Sequence, residues 1–255
     1  MKKTFKFFIL GALCAVSLTS CFKEDGDDTF YPNAIVTVKQ TADGVCYLQL
    51  NDETTLRPSN IQKPPYSKEV RALTNISDIT EYKVGDDGLK FDKSGYVNWV
   101  DSVRTKESVR SLGKEEDDKK YGVNNIEVIG NWVTVLEDGY MTLSFAAMWG
   151  DTRKPHSIDL VTGVDADDPY LLELRHNNLE DIFRPTPEFG IVSTGIIAFK
   201  LKDLPSTEGK TVKLRIRYNS LDGEQKTVSF DYCTGEKSET GKASLTGLTK
   251  GIRIR

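Results

Sequence analysis

Two histidines, His156 and His176, are all that the 255 residues offer, and no His-x-His, His-Glu-x-x-His or Cys-x-x-Cys pattern occurs. Zinc catalysis is therefore disfavoured. A Gly-x-Ser-x-Gly elbow, a phosphate loop and a dinucleotide fingerprint are missing too, which argues against a serine hydrolase of that type and against nucleotide chemistry, and no cofactor is expected. Twenty glycines and nine prolines are too few for a disordered chain, and no apolar run is long enough for a multi-span membrane protein. What is present is ordinary for a soluble globular protein: 38% hydrophobic, 28% charged, with 34 Lys+Arg against 38 Asp+Glu.

The first twenty residues read as an export signal. Lys2, Lys3 and Lys6 precede the apolar run from Phe7 to Leu13. Leu18-Thr19-Ser20-Cys21 at its end resembles the lipobox of bacterial lipoproteins, in which the cysteine thiol takes a diacylglycerol and cleavage follows Ser20. Several acyl chains make a firm anchor, so Cys21 is expected to hold the protein on a membrane. Loss of the three lysines takes the formal charge from −4 to about −7, which argues against nucleic acid as a partner. Residues 21–31 form an acidic tether. Within it Lys23, Glu24, Asp25, Asp27 and Asp28 resemble the signal that sends lipoproteins of the Bacteroidota to the outer face of the outer membrane. Of the four cysteines only Cys46 and Cys233 remain, and both are expected to be unpaired.

Beyond Pro32 the period is that of strands. Ala34–Lys39, Val45–Leu50, Thr54–Pro58, Glu69–Ile76 and Tyr96–Thr105, with Gly and Pro at the corners, predict a small closed barrel over 32–112. Gly113 to Lys120 is a charge run without an apolar residue and reads as a hinge. Past it, Asp138-Gly139 turns a hairpin into Tyr140–Trp149, and in Val212–Tyr218 four apolar residues alternate with three cations. Residues 121–232 thus predict an antiparallel β-sandwich. The polar stretch 233–255 is expected to be poorly ordered.

Several segments are similar to the NigD-like lipoproteins of Bacteroidota. They are Tyr31–Lys39, Tyr47–Asp52, Glu69–Leu73, Val97–Val103, Glu137–Tyr140, Leu172–Asn177 and Phe199–Leu201. The resemblance covers roughly 30–232 and implies an all-β chain, an oligonucleotide/oligosaccharide-binding (OB) type barrel followed by a β-sandwich. It implies no established activity, only an association with bacteriocin production or immunity.

Barrels of this type bind on the face of strands two and three, so Tyr47, Tyr66, Arg71 and Trp99 are the barrel's candidate binding residues. Arg175, His176 and Asn177, followed by Glu180 and Asp181, form the one polar cluster after a strand that could host acid–base work. The same residues could instead bond a strand end to a turn. The acids Asp165, Asp167 and Asp168 lack the spacing of a calcium loop. The expectation is a non-enzymatic envelope protein binding a glycan, a peptide or a partner protein, with an envelope hydrolase using the His176 region as the alternative.

Overall fold

The computed structural model describes residues 33–85, 88–182 and 191–235, so Cys21, the tether from Lys23 to Asp28 and the tail beyond 235 lie outside the described residues. Five strands close the barrel: β1 (Asn33–Gln40), β2 (Cys46–Gln49), β3 (Thr55–Pro58), β4 (Val70–Glu81) and β5 (Lys93–Ser102), in the order β1-β2-β3-β5-β4. Inward positions are apolar, with Val36, Val38, Cys46, Leu48, Leu56, Ala72, Ile76 and Val97 in one buried cluster. Burial pushes the Cys46 thiol up to about 11, so it is an inert core residue.

The chain leaves the barrel at Val103, ten residues before the expected hinge. β6 (Arg104–Glu107) and β7 (Val109–Arg110), assigned to the barrel from sequence, are outer strands of the two sandwich sheets. The charge run is a helix, α1 (Lys114–Tyr121), with acids in its first turn and lysines in its last, which suits the helix dipole. Two aspartates fasten it. Buried Asp117 accepts from Ser111 Oγ (2.5 Å) and Leu112 N (2.8 Å), and Asp118 pairs with Arg175 at 2.6 Å.

The sandwich continues with β8 (Ile126–Ile129), β9 (Val135–Glu137), β10 (Tyr140–Trp149), β11 (Ser157–Thr162), β12 (Leu171–Asn177), β13 (Ile191–Lys200), β14 (Val212–Asn219) and β15 (Gln225–Tyr232). One sheet runs β6-β13-β10-β8, with β9 also on β10, and the other runs β15-β14-β12-β11-β7. The expected Asp138-Gly139 turn joins β9 to β10, both residues at positive φ (52° and 71°). The alternation in β14 is as read, with Leu214, Ile216 and Tyr218 in the core. Not every pair is antiparallel: β6 on β13, β7 on β11 and β12 on β14 run parallel. Cys233 and Thr234, assigned to the tail, are fixed in part, since Thr234 bonds with Thr207 and with Gly209 N.

Candidate functional site

The structure divides the sequence candidates among three places. The first is the junction of barrel and sandwich, where the alternation of β4 sends Val70 and Ala72 into the barrel and Arg71 outward. That outer face is covered by the sandwich, so Arg71 is fully buried and is no ligand-facing residue. Its guanidinium donates to Glu137 (2.7 Å), Thr37 (3.0 Å) and Thr142 (3.3 Å), spanning both domains. Around it Lys39 pairs with Asp138 at 2.7 Å, Asp138 N donates to Asp52, and Glu69 accepts from Tyr140 and Lys200. Burial raises the Glu137 carboxyl above its usual range, and Arg71 works against that rise. Ile35 and Val103 from the barrel side pack with Val133 and Ala198, so the junction is apolar as well as polar.

The other barrel candidates are dispersed. Tyr47 leans on Phe91, whose ring meets Tyr82 edge-on. Trp99 is 41% exposed on β5. Tyr66 packs against the barrel core and its hydroxyl donates to Val100 O (3.0 Å). Among the described residues no ring contact joins Tyr47, Tyr66 and Trp99. Tyr66 does border an open groove of about 790 Å³ between the segment 65–70 and residues 102–106, at the edge of the junction.

The second place is the outer face of β12 and β14 beneath α1. Arg175 is held by Asp118 and Glu173, and Arg217 by Glu173, around a polar cleft of about 360 Å³. Asn177 donates to Lys120 O at the end of the helix (3.4 Å) and accepts from Leu179 N.

The third is the cluster around His176, where sequence reading missed the decisive partner. His176 Nδ1 lies 2.9 Å from Asn125 O, and a carbonyl only accepts, so the proton is assigned to that nitrogen. Its Nε2 meets His156 Nδ1 at 2.9 Å, and His156 Nε2 meets Asp181 Oδ2 at 3.2 Å. With His176 Nε2 left as an acceptor, His156 Nδ1 is the donor between the two rings, and His156 Nε2 faces the Asp181 carboxylate. The Trp149 indole stacks on the His156 ring at 4.4 Å and 5°. Asp181 also accepts from Gly150 N and Asp151 N, which with His156 and Lys154 lower its carboxyl below the usual range. The His156 and Asp181 side chains are 1% and 2% exposed. All four ring nitrogens are thus engaged within the protein, and the chain of bonds ends on a backbone carbonyl. It fastens the loops after β10 and β12 and before β8. His156 precedes β11, whose register sets Ile158 against His176, but the long Asp-rich loop between β11 and β12 hid that register from the sequence.

Burial, and then the charge of His156, depress the His176 imidazole below its ordinary value of 6.5. The unfolded chain therefore takes up this proton first as pH falls. Stability linked to His176 is complete above about pH 6.5 and is lost as pH drops from there through the lower folded value. Urea midpoints between pH 8 and 4.5 should show that slope in the native chain and a shallower one in His176→Gln. Equal slopes would refute the buried neutral ring.

Residues 35–103 match the profile of the NigD-like N-terminal OB domain, and residues 108–232 that of the NigD-like C-terminal β-sandwich domain. The chain belongs to the NigD-like family. Among solved structures, a provisionally named toxin-related protein of Parabacteroides distasonis is 30% identical, with a TM-score of 0.61 over 80% of this chain and 94% of its own. A NigD-like immunity protein of Bacteroides caccae is 15% identical, TM-score 0.53, over 82% and 100%. A provisionally named lipoprotein of Bacteroides fragilis, also 15% identical, has a TM-score of 0.50 over 81% and 100%. No curated protein matches. The two NigD-like profiles meet between 103 and 108, where the structure places the seam.

Proposed function

We propose that this NigD-like protein is a lipid-anchored protein of the outer membrane, displayed at the cell surface, that works by binding a partner and not by catalysis. The observation that carries this is the open groove beside the junction: the barrel segment 65–70 forms one wall and residues 102–106, which lead into β6 of the sandwich, form the other, and the Arg71 backbone ties the two through Thr105 Oγ1 and Val103 N. Such preformed concave surfaces favour binding because little ordering is needed when a partner arrives. The histidine cluster favours the non-enzymatic reading, since a general base needs a ring nitrogen within reach of a substrate. The name of the toxin-related relative fits a protein partner better than a glycan. The lipobox at Cys21 supplies the anchor and the acidic tether supplies the surface address.

Two readouts test this in one strain. Cys21→Ala should move the protein from the detergent phase to the soluble fraction. A photo-crosslinking residue at Ser67, in the groove, should give an adduct on intact cells that the same residue at exposed Ser229 on β15 does not. Unchanged partitioning would remove the anchor, and equal labelling at both positions would remove the groove as the binding surface.

A further inference from the structure

We propose that the groove receives an extended acidic peptide segment of the partner, held by Lys68 and Arg104; this rests on the binding reading above. The charged residues lining the groove are all cations, Lys68, Arg104 and Lys106, in a chain of formal charge −4. Lys106 is already committed to Asp159 and Ile158 O. Lys68 and Arg104 are exposed, and among the described residues neither side chain has a hydrogen-bond or ion-pair partner. The acids next to this rim carry other cations: Glu69 pairs with Lys200, and Glu107 pairs with Lys202 and acts on Lys68 only at longer range, as the last of its three lysines. Two unmatched cations beside an open cleft make a local positive field on an acidic protein. Carboxylates arriving there gain charge-assisted hydrogen bonds without displacing an existing pair.

The shape selects the kind of anion. Both walls are runs of about five residues, roughly 16 Å of extended chain, which suits a segment of similar length and form. β6, which forms one wall, is the terminal strand of its sheet, and Arg71 of β4 meets it through Thr105 Oγ1. An acidic glycan fits less well. Tyr66 is the single aromatic ring in the groove lining, its ring packs on the barrel core, and its hydroxyl is spent on Val100 O, which leaves little for sugars to stack on.

The test uses the full mature chain and a fluorescein-labelled hexaglutamate peptide, read by anisotropy. Binding is expected, weakening as salt is raised and weakening at least tenfold in K68E/R104E and in the milder K68Q/R104Q. Melting temperatures should be unchanged, because both side chains project into solvent. Lys213→Glu on the far sheet is the control for non-specific charge and should bind as the native chain does. Equal binding of hexaglutamine, equal loss in Lys213→Glu, no loss in the double variants, or tighter binding of polygalacturonate or a DNA oligonucleotide than of the peptide would each overturn the proposal. If hexaglutamate fails to bind while Ser67 still yields its specific adduct, the acidic-peptide assignment falls and the binding reading stands. If both fail, both fall.

Discussion

Arg71→Met should cost about 2–4 kcal/mol, because the change leaves the half-buried Glu137 carboxylate without its counter-charge and strips Thr37 and Thr142 of a donor. At roughly 2–4 °C per kcal/mol for a domain pair of this size, the melting temperature should fall on the order of 10 °C. The double variant Arg71→Met/Glu137→Met should recover most of that loss, since a buried ion pair replaced by apolar side chains is often close to neutral. A single variant within about 1 kcal/mol of the native protein would mean that the junction does not depend on this pair. If the double variant is no better than the single, the cost lies in packing and in the two threonine hydroxyls, not in the orphaned charge.

Gly122→Ala is the second large effect. Gly122 ends α1 at φ 81° and ψ 172°, a conformation essentially closed to other residues. An added Cβ would stand 2.4 Å from His176 O and 2.6 Å from Asn177 Cα, both backbone atoms of β12 that cannot swing aside. Conformational strain and overpacking together suggest a loss of about 2–5 kcal/mol. The helix should also lift from the sheet, so limited proteolysis should cut between 111 and 125 in the variant before it does so in the native chain. Gly130→Ala, where nothing lies within 4 Å of the added atom, is the matched control and should be near neutral. Similar losses at the two positions would contradict the close approach.

The barrel and most sandwich strands were legible because each buries one face, and a two-residue period reports that directly. Asp138-Gly139 was legible because its chemistry names the turn. What escaped detection was held together by polar groups. α1 has no apolar stripe; it docks through Asp117, Asp118 and Tyr121, so its charges read as a solvated linker. Arg71 stands at an outward position of β4, and only the second domain, folded over that face, makes it interior. His176 was found, but its meaning depended on His156, twenty residues earlier and brought alongside by a register that the intervening loop conceals. Sequence periodicity reports which face an element buries within its own layer; α1 and Arg71 concern what a second layer places against the other face, and His176 what a neighbouring strand brings alongside.

The passage of the chain through β6 and β7 bears on how the molecule is assembled. These strands leave the barrel first, yet β7 must wait for β11 about fifty residues later, and β6 for β13 more than ninety residues later. Pairings of that separation form slowly, because a long loop has to close before the contact gives anything back. The barrel can therefore close while both sandwich sheets still lack a terminal strand, and capture of the connector is expected late in folding. The same step fixes the residue 102–106 wall of the groove, so the groove takes its form only when the sandwich has folded.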